Sequence, residues 1–549
     1  MTTIRVALAQ LNVTVGDLAG NQAAIVRAFA QARSAGAELV ACPELAITGY
    51  PPEDLLLKPQ FVADNLSVLR RLVRHTQGLV AIIGFVDRDA QGRLYNAAAV
   101  AANGRLLGAY RKLCLPNYGV FDERRYFTPG RQLCVIEWPR QGTRDSGRGA
   151  GTVRVGLTIC EDLWDEAPTA ALARAGRVGA MINISASPYH AGKLRERLAL
   201  IRRRATAHGL PIAYLNLVGG QDELVFDGGS AVVDARGRVL AQGAQCEEEL
   251  LVVDVPVETP QRSARSNKIT CPVQRLAVPS WERQPSLALQ PAAVRQPLEP
   301  LAEIYAALVL GTRDYARKNG FRDAVIGVSG GVDSALTAVI AADALGRDHV
   351  IGVSMPSRYS SSGTRQDAEA VARHLGLRLS TIPIEPIFGA YLQTLQDVFR
   401  GRAADVTEQN IQARIRGTLL MALANKFGWL VLTTGNKSEM ATGYCTLYGD
   451  MAGGFAVIKD VPKQLVYQLA RFRNRRGPGA PIPESVLQRV PTAELAPNQT
   501  DQDTLPPYDV LDRLVEAYVE QDRSARQLVR SGVPASTVRR VIHMIDRAE

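Results

Sequence analysis

Short apolar runs, separated by polar and glycine-containing segments, fill the first 258 residues of the chain. Several runs are apolar on both faces, which predicts strands in sheets that are covered on both sides. After the first run, apolar residues recur at helical spacing, with Ile25, Phe29 and Ala32 on one side of a predicted helix. The predicted strands are IRVALAQ, ELVACPE, LVAIIGF, YNAAAVA, VRVGLTI, AMINIS, IAYLNL and SAVVDARGRVLA.

This pattern is interrupted at two places. Residues 140–152, RQGTRDSGRGAGT, are polar and rich in glycine, which predicts a surface hairpin loop. From about residue 258 to 300 the chain is rich in proline and has no periodicity, which predicts a linker or an extended strap over the surface. We therefore expect a first domain at 1–258, a linker or strap at 259–296 and a second domain at 297–549.

Helical and strand patterns alternate in the second domain, which predicts a doubly wound parallel sheet. The predicted helices are PLAEIYAALVLGTRDYARKNG, DSALTAVIAADALG, TRQDAEAVARHLG and a long helix from about Asn410. The predicted strands are AVIGVS, VIGVSM, RLSTIPI and WLVLTTG.

Composition narrows the class of protein. The 549 residues, 46% hydrophobic and 21% charged, are typical of a soluble globular enzyme of several domains. The seven cysteines form no C-x-x-C pair and the six histidines have no ligand spacing, so we expect no structural transition metal and a reducing, cytoplasmic location. The sequence shows no signal peptide and no membrane-spanning run.

The formal net charge of +10 leaves two interpretations open, a nucleic-acid partner or a basic surface with pockets for anionic substrates. We favour the second interpretation because no block of lysine and arginine with interleaved aromatic residues appears. Small-molecule substrates are therefore expected, without a nucleic-acid or membrane partner.

The segment AVIGVSGGVDSALTAV, residues 324–339, reads as a strand, a glycine-rich turn and the start of a helix. Glycines let the backbone approach an anion, and the helix N-terminus supplies N–H donors. The turn lacks the lysine of a Walker loop. Asp333 beside phosphates is unfavourable unless a cation lies between them, so the loop predicts ATP with Mg²⁺. The alternative is a tight strand-to-helix turn without a ligand.

The hexapeptide SGGVDS in this turn resembles the PP-loop of N-type ATP pyrophosphatases. Those enzymes bind the pyrophosphate of ATP and cleave at the α-phosphate, which accounts for the missing lysine. The resemblance implies ATP contacts at Gly327, Val328, Ser329, Gly330, Gly331, Val332, Asp333 and Ser334.

Residues 433–463, TTGNKSEMATGYCTLYGDMAGGFAVIKDVPK, resemble the T-G-N-x-S-E signature of NAD synthetases. The resemblance implies that Thr434 contacts ATP and that Glu439 joins Asp333 at Mg²⁺, with a helix cap as the alternative role of Glu439. It also implies a deamido-NAD pocket formed by Asn410, Glu439, Tyr444, Cys445, Thr446, Leu447 and Lys459, with Asp450. Arg414 and Arg416 are candidates for its phosphates or for a solvated helix face.

Three polar residues follow strands of the first domain: Glu44, Lys112 and Cys160. A buried lysine is costly without a carboxylate partner, whereas an isolated cysteine is commonly a small core residue. Glu–Lys–Cys in this order resembles the nitrilase superfamily, whose fold is a four-layer αββα sandwich. The resemblance implies a Cys160 nucleophile, a Glu44 general base and a Lys112 that stabilises the oxyanion. Glu123 matches a second family glutamate that positions the lysine or the substrate.

The glutaminase branch of that superfamily holds the α-amino and α-carboxylate groups of glutamine. By resemblance, Tyr118, Ser187 and Lys193 match those contacts. Family members can carry arginine at the last position, and lysine lacks its bidentate fork. The alternative for Ser187 is a plain turn residue after the strand AMINIS.

A nitrilase-type amidase followed by a PP-loop synthetase resembles the glutamine-dependent NAD synthetase family over nearly the whole chain, linker excluded. The resemblance implies ATP-dependent amidation of deamido-NAD to NAD with ammonia from glutamine, through an adenylate, with release of AMP, PPi and glutamate. It also implies an enclosed ammonia passage, which the strap helps to seal, and a homo-oligomer built on a synthetase-domain dimer.

Two alternatives remain at this stage, a tRNA-modifying ATP pyrophosphatase and an ammonia-only synthetase or scaffold with an inactive amidase domain. One departure from the family pattern is also present. Family sequences usually continue past the last helix with a lysine-containing N-E-Y-K-R-type segment, whereas this sequence ends at VIHMIDRAE. Two interpretations are open for the C-terminal part of the deamido-NAD site: the segment is truncated, or its role is taken by another part of the chain.

Overall fold

The computed structural model describes residues 2–139, 152–257, 271–279, 293–477 and 479–548. The chain forms two compact units, Met1–Glu303 and Ile304–Glu549, each of which is described by itself. The hairpin loop predicted at 140–152, except for its last residue, lies outside the described residues, as does much of the predicted linker or strap at 259–296.

The first unit alternates strands and helices. Its strands are β1 (Thr2–Gln10), β2 (Leu39–Ala41), β3 (Val80–Arg88), β4 (Leu94–Ala102), β5 (Arg105–Arg111), β6 (Leu133–Pro139), β7 (Thr152–Ile159), β8 (Ala180–Ser185), β9 (Ile212–Asn216), β10 (Val218–Gln221), β11 (Leu224–Asp227), β12 (Ala231–Val233), β13 (Val239–Gln242), β14 (Glu249–Val257) and β15 (Val273–Ala277). Its helices are α1 (Leu18–Ser34), α2 (Pro59–Arg74), α3 (Glu123–Tyr126), α4 (Glu161–Trp164), α5 (Glu166–Ala171) and α6 (Lys193–His208), with single turns at Glu53–Leu57 and Leu172–Gly176.

Two sheets face each other in this unit, with strand orders β14-β1-β2-β3-β4-β5 and β13-β12-β9-β8-β7-β6-β15. Leu8 of β1 and Leu157 of β7 belong to the apolar core between the sheets. Phe29 of α1 packs in the outer core of the first sheet, and Ile201 of α6 packs in the outer core of the second. Each sheet is therefore covered on both faces, and the architecture is the predicted four-layer αββα nitrilase sandwich.

The apolar pattern did not indicate six strands of this unit. Three of them, β5, β14 and β15, lie at sheet edges, whereas β6 lies inside the second sheet and β10 and β11 form a separate two-stranded sheet. The sequence of β15, VQRLA, mixes polar and apolar residues, and most of its residues are not buried, so it is not a continuous apolar run. The strand β15 falls inside the segment predicted as a linker or strap, and it pairs in parallel with β6. These five residues of the predicted linker or strap therefore form an edge strand of the second sheet.

The second unit contains strands β16 (Ala324–Gly327), β17 (Val350–Ser354), β18 (Arg378–Thr381), β19 (Leu430–Thr433) and β20 (Phe455–Ala456). Helix α7 (Pro300–Lys318) spans the boundary between the units. The other helices are α8 (Val332–Leu345), α9 (Ser362–Leu375), α10 (Glu385–Leu395), α11 (Val406–Phe427), α12 (Lys437–Ala441), α13 (Lys463–Arg475), α14 (Glu484–Gln488), α15 (Tyr508–Val515), α16 (Ala525–Arg530) and α17 (Ala535–Ala548), with single turns at Arg347–His349, Asp501–Asp503 and Glu516–Glu520.

All five strands of this unit are parallel, in the order β18-β17-β16-β19-β20. The chain proceeds from β16 outward to β18 and then returns to place β19 on the other side of β16. This reversal creates a topological switch point between β16 and β19, where doubly wound sheets bind ligands. The predicted fold class is confirmed, and both predicted carboxylates, Asp333 and Glu439, follow the two strands at this point.

The long helix α11 begins at Val406, four residues before the predicted start near Asn410. The carboxylate of Asp405 accepts from the Thr407 N–H at 2.7 Å, and Glu408 accepts from the Asp405 N–H at 2.8 Å. This capping box fixes the helix start, and the D-x-x-E spacing is its sequence signal. None of the helices in the described ranges has both the length and the apolar character that crossing a membrane requires.

Candidate active sites

The predicted residues of the first unit follow three different strands. Glu44 lies three residues after β2, Lys112 directly follows β5 and Cys160 directly follows β7. Strands β2 and β5 belong to the first sheet and β7 belongs to the second. The two sheets pack face to face through one apolar core, which brings the ends of these strands together. All three residues are buried, with exposed fractions of 0%, 1% and 3%.

The ammonium group of Lys112 lies between two carboxylates. Its Nζ donates to Glu44 Oε1 at 2.6 Å and to Glu123 Oε1 at 2.7 Å. Burial alone would lower the pKa of Lys112, but the two carboxylates outweigh it and raise the pKa well above its usual value. Burial also raises the pKa of Glu123 to about 7. The site thus holds a fixed cation, which can stabilise a developing oxyanion.

Two further polar side chains hold these carboxylates. Asn96 Nδ2 donates to Glu44 at 2.7 Å and to Glu123 at 3.3 Å, and the Tyr50 hydroxyl donates to Glu123 at 3.0 Å. Sequence reasoning missed both residues. The available signal for Asn96 is its amide group inside the otherwise apolar strand YNAAAVA, because a buried amide requires hydrogen-bond partners.

The backbone at Cys160 has a positive φ of 42°. A non-glycine residue in this region costs about 1–3 kcal/mol and persists only where its surroundings fix it, which is typical of functional turns. Burial and the carboxylate of Glu44 raise the pKa of the Cys160 thiol, whereas Lys112 lowers it. The thiol therefore needs a neighbouring base before it can attack as a thiolate.

Two of the three residues predicted to hold glutamine, Tyr118 and Lys193, contact helix α4, which follows Cys160. The Tyr118 hydroxyl donates to Glu161 at 3.1 Å, and Lys193 Nζ lies 4.2 Å from the ring centroid of Trp164. Ser187 is buried, and its backbone N–H donates to Asn216 Oδ1 at 2.9 Å. Tyr118 is 59% exposed and Lys193 begins α6, so the two polar groups reach the segment of the predicted nucleophile from the surface.

A cavity of about 410 Å³ lies at the switch point of the second unit. Its lining includes every residue of the phosphate loop from 327 to 334 except Gly330. The other predicted residues in the lining are Asn410, Arg416, Thr434, Glu439, Tyr444, Cys445, Thr446 and Asp450. Within the described residues, Arg414, Leu447 and Lys459 lie outside this lining.

The phosphate loop connects β16 to α8. Gly330 has a φ of 90°, and a Cβ there would lie 2.1 Å from the Thr364 carbonyl oxygen, so only glycine fits. The hydroxyls of Ser329 and Ser334 lie 3.1 Å apart and bridge the turn. No side chain caps the N-terminus of α8, which leaves first-turn N–H groups for an anion.

Lys463 links the two predicted carboxylates of this cavity. Its Nζ donates to Asp333 Oδ2 at 2.6 Å and to Glu439 Oε1 at 3.1 Å. Only 3% of Lys463 is exposed, and its two carboxylate partners raise its pKa against the effect of burial. Sequence reasoning missed Lys463. A signal was present, because Lys463 opens α13, where the helix dipole disfavours a cation without an acidic partner.

Glu439 also has the capping role that was weighed as the alternative. The backbone N–H of Asn436 donates to Glu439 Oε2 at 3.4 Å, and the Glu439 N–H donates to Asn436 Oδ1 at 3.1 Å. The other carboxylate oxygen of Glu439 contacts Lys463. Glu439 can therefore cap α12 and line the cavity at the same time. Burial raises the pKa of Glu439 to about 7.

The two candidate arginines of α11 differ in environment. Arg416 lines the cavity, and its Nε donates to the Met355 carbonyl at 3.0 Å. Burial lowers the pKa of Arg416 to about 10. Arg414 is exposed, and its Nε donates to the Leu447 carbonyl at 3.2 Å. Of these two cations, only Arg416 lines the cavity.

Comparisons with known proteins agree with this two-part architecture. The family model for carbon–nitrogen hydrolase matches residues 5–265, and that for NAD synthase matches residues 304–549. The glutamine-dependent NAD(+) synthetase of Thermotoga maritima is 47% identical, with 100% of this chain and 94% of that protein covered. The enzyme of the same name from Acinetobacter baylyi is 41% identical, with the same coverage.

Solved structures give the same result. A glutamine-dependent NAD⁺ synthetase from Acinetobacter baumannii, determined in complex with ADP, is 38% identical with a TM-score of 0.77 and covers 100% of this chain and 93% of its own. One from Cytophaga hutchinsonii, 23% identical, agrees in fold with a TM-score of 0.78, covering 100% of this chain and 92% of its own. These findings support neither a tRNA-modifying enzyme nor an ammonia-only synthetase. The chain belongs to the family of glutamine-dependent NAD(+) synthetases.

Proposed function

We propose that this protein amidates deamido-NAD to NAD, using ATP and ammonia from glutamine, and releases AMP, PPi and glutamate. The observation that carries the proposal is the presence in one chain of a buried Glu–Lys–Cys site and a PP-loop cavity. We assign glutamine hydrolysis to residues 1–258 and synthesis to residues 297–549, and the matches to the two family models support this division.

In the first unit, Cys160 Sγ attacks the amide carbon of glutamine while its proton passes to Glu44. The oxyanion that forms is stabilised by the ammonium group of Lys112, which Glu44 and Glu123 hold in place. Return of the proton to the amide nitrogen releases ammonia and leaves a thioester. Water then hydrolyses the thioester to glutamate, again with Glu44 as base.

Tyr118, Ser187 and Lys193 are proposed to hold the α-amino and α-carboxylate groups of glutamine. Tyr118 donates to Glu161 and Lys193 lies over the ring of Trp164, and these contacts with the segment after Cys160 support the role of both residues. Lysine offers a single charged donor group to the carboxylate, where arginine would offer two parallel donors.

In the second unit, the phosphates of ATP bind the loop at 327–334 and the open N-terminus of α8. The nicotinate carboxylate of deamido-NAD attacks the α-phosphorus, and PPi leaves. Ammonia then attacks the carbonyl carbon of the adenylate, and AMP leaves. The lining residues Asn410, Tyr444, Cys445 and Thr446 are proposed to hold deamido-NAD, together with Leu447 and Lys459, which are not part of the lining.

The carboxylates of Asp333 and Glu439 fit a Mg²⁺ ion that is shared with substrate phosphates. The described residues contain no group of three or more metal-ligand side chains, so an all-protein cage is not present. Mg²⁺ usually takes one or two carboxylates and completes its shell with phosphate and water oxygens. When bound, the ion would neutralise charge on the phosphates. Lys463 supplies positive charge to the same two carboxylates, so its Nζ and the ion compete for them.

A homo-oligomer built on the synthetase domain and a cytoplasmic location are further parts of the proposal. The exposed apolar side chains of the second unit include Val398 (77%), Tyr448 (76%) and Phe427 (57%), which are candidates for burial in such an interface. All seven cysteines are free, as in proteins of a reducing compartment. Light scattering coupled to gel filtration measures the assembly, and a monomer would contradict it.

Product analysis tests the proposed reaction. With ATP, Mg²⁺, deamido-NAD and glutamine, we expect NAD, AMP, PPi and glutamate in equal amounts. Because the loop lacks the Walker lysine, cleavage is expected at the α-phosphate. Formation of ADP and inorganic phosphate would contradict the PP-loop assignment.

Arg416→Gln is expected to weaken substrate binding, because this half-buried guanidinium faces the cavity. Loss of a charge-assisted contact to phosphate is worth about 1.5–3 kcal/mol, which corresponds to a rise in the KM for ATP or deamido-NAD of about 10- to 160-fold. Arg414→Gln is the matched control, since Arg414 is exposed on the same helix. Equal KM values in the two variants would contradict a phosphate contact at Arg416.

A further inference from the structure

Asp162 is a fully buried carboxylate that the proposed chemistry does not use. Its Oδ1 accepts from the backbone N–H groups of Leu113 at 3.1 Å and Cys114 at 2.8 Å. Its Oδ2 accepts from the Ile159 N–H at 3.0 Å and from the Tyr110 hydroxyl at 2.7 Å. One side chain therefore receives four hydrogen bonds from two separate segments.

These donors surround the two groups on which the proposed amide hydrolysis depends. Tyr110, Leu113 and Cys114 lie on either side of Lys112 in the chain. Ile159 immediately precedes Cys160, and Asp162 itself follows it by two residues. The same carboxylate therefore fixes the backbone before and after the lysine to the backbone before and after the cysteine.

We propose that Asp162 is a positioning residue that sets the place of Cys160 relative to Lys112. This inference rests on the proposed roles of those two residues in glutamine hydrolysis. Cys160 occupies a strained backbone conformation with a φ of 42°, which its surroundings must maintain. The hydrogen bond from Ile159 to Asp162 constrains the backbone just before this turn.

Only a carboxylate satisfies all four donors. It offers acceptor sites on both oxygens and has no proton of its own to place. In an Asp162→Asn variant, the amide oxygen can still accept from Leu113 and Cys114, and the amide NH₂ can donate to the Tyr110 hydroxyl. The Ile159 N–H then faces a donor and loses its partner, so the turn at Cys160 loosens while the lysine side keeps its contacts.

The expected result for Asp162→Asn is a fall of about 10²-fold in kcat for glutamine hydrolysis, the size that a misplacement of about 1 Å produces. The KM for glutamine is expected to change little. Lys112 lowers the pKa of the Cys160 thiol, so a looser pairing is also expected to move alkylation of Cys160 by iodoacetamide to higher pH. A role in folding alone would not move that pH profile.

Asp165→Asn is the matched control. Asp165 lies on the same segment. Its carboxylate caps α5 by accepting from the Ala167 N–H at 2.8 Å and also accepts from the Cys114 thiol at 3.8 Å, but it has no contact to Ile159. It is expected to keep the wild-type kcat and pH profile. A wild-type kcat in Asp162→Asn would overturn the proposal. So would a fall in kcat that equals the unfolded fraction of the variant while the pH profile of Cys160 alkylation is unchanged.

If Asp162→Asn does not fold, Tyr110→Phe decides. It removes the hydroxyl that donates to Asp162 Oδ2, the same oxygen that accepts from the Ile159 N–H, so that oxygen is held less firmly beside the Cys160 turn. A several-fold fall in kcat with a shifted alkylation profile supports the proposal, and an unchanged profile overturns it. Cys160→Ala distinguishes a failure of the proposed function from a failure of the positioning role of Asp162. If Cys160→Ala still uses glutamine, the proposed function itself is contradicted. If Cys160→Ala loses glutamine use but Asp162→Asn keeps the wild-type kcat, only the positioning role is contradicted.

Discussion

Cys160→Ala is expected to lose NAD formation from glutamine by about 10³-fold or more while keeping NAD formation from ammonium salts. The thiol is needed only to release ammonia, and the second unit needs only a neutral amine beside the adenylate. A rise in pH increases the neutral fraction of ammonia, so the ammonium-supported rate is expected to grow toward alkaline pH. Assays of NAD with each nitrogen source, from neutral to mildly alkaline pH, measure both effects.

Glu44→Ala and Lys112→Ala are expected to show the same pattern, because each removes one function of the same step. Cys271→Ala is the matched control, since the Cys271 thiol contacts only the Arg131 carbonyl among its described hydrogen-bond partners, at 3.4 Å. That variant is expected to use glutamine normally. Normal use of glutamine by Cys160→Ala would show that the nitrogen does not come from this site.

Asp333→Asn is expected to reduce PPi release by about 10²-fold or more while glutamine hydrolysis persists. The substitution keeps the size of the side chain but removes the charge that pairs with Lys463 at 2.6 Å. It also removes one of the two carboxylates proposed for Mg²⁺. Release of labelled PPi from ATP and of glutamate from glutamine can be followed in the same samples.

Asp348→Asn serves as the control for charge, because its carboxyl is 87% exposed and lies in the same unit outside the cavity at the switch point. It is expected to release PPi at the wild-type rate. If Asp333→Asn does the same, the phosphate loop does not bind ATP in the proposed manner.

Local sequence patterns predicted the parts of the fold that depend on neighbouring residues. The apolar strands that end before Glu44 and Cys160, and the glycine turn before Asp333, form where the pattern placed them. Strand ends at the carboxyl edge of a sheet are a general site for functional groups, so these positions followed from the strands themselves.

Contacts between residues that are far apart in the sequence could not be predicted in this way. Lys463 meets Asp333 over a separation of 130 residues, and Asn96 meets Glu44 over 52 residues. Nothing in the residues around each partner specifies the other, because the contact exists only after the sheets assemble. The edge strand β15 was not predicted either, because its exposed residues weaken the apolar pattern.

Transfer of the amide nitrogen tests the central claim, that the two sites of this chain act in one reaction. The protein would be supplied with ATP, Mg²⁺, deamido-NAD and glutamine labelled with ¹⁵N at the amide, in the presence of unlabelled ammonium, and the NAD analysed by mass spectrometry. We expect ¹⁵N in the carboxamide of NAD formed by the wild type, and only unlabelled NAD from Cys160→Ala. Unlabelled NAD from the wild type would contradict the account.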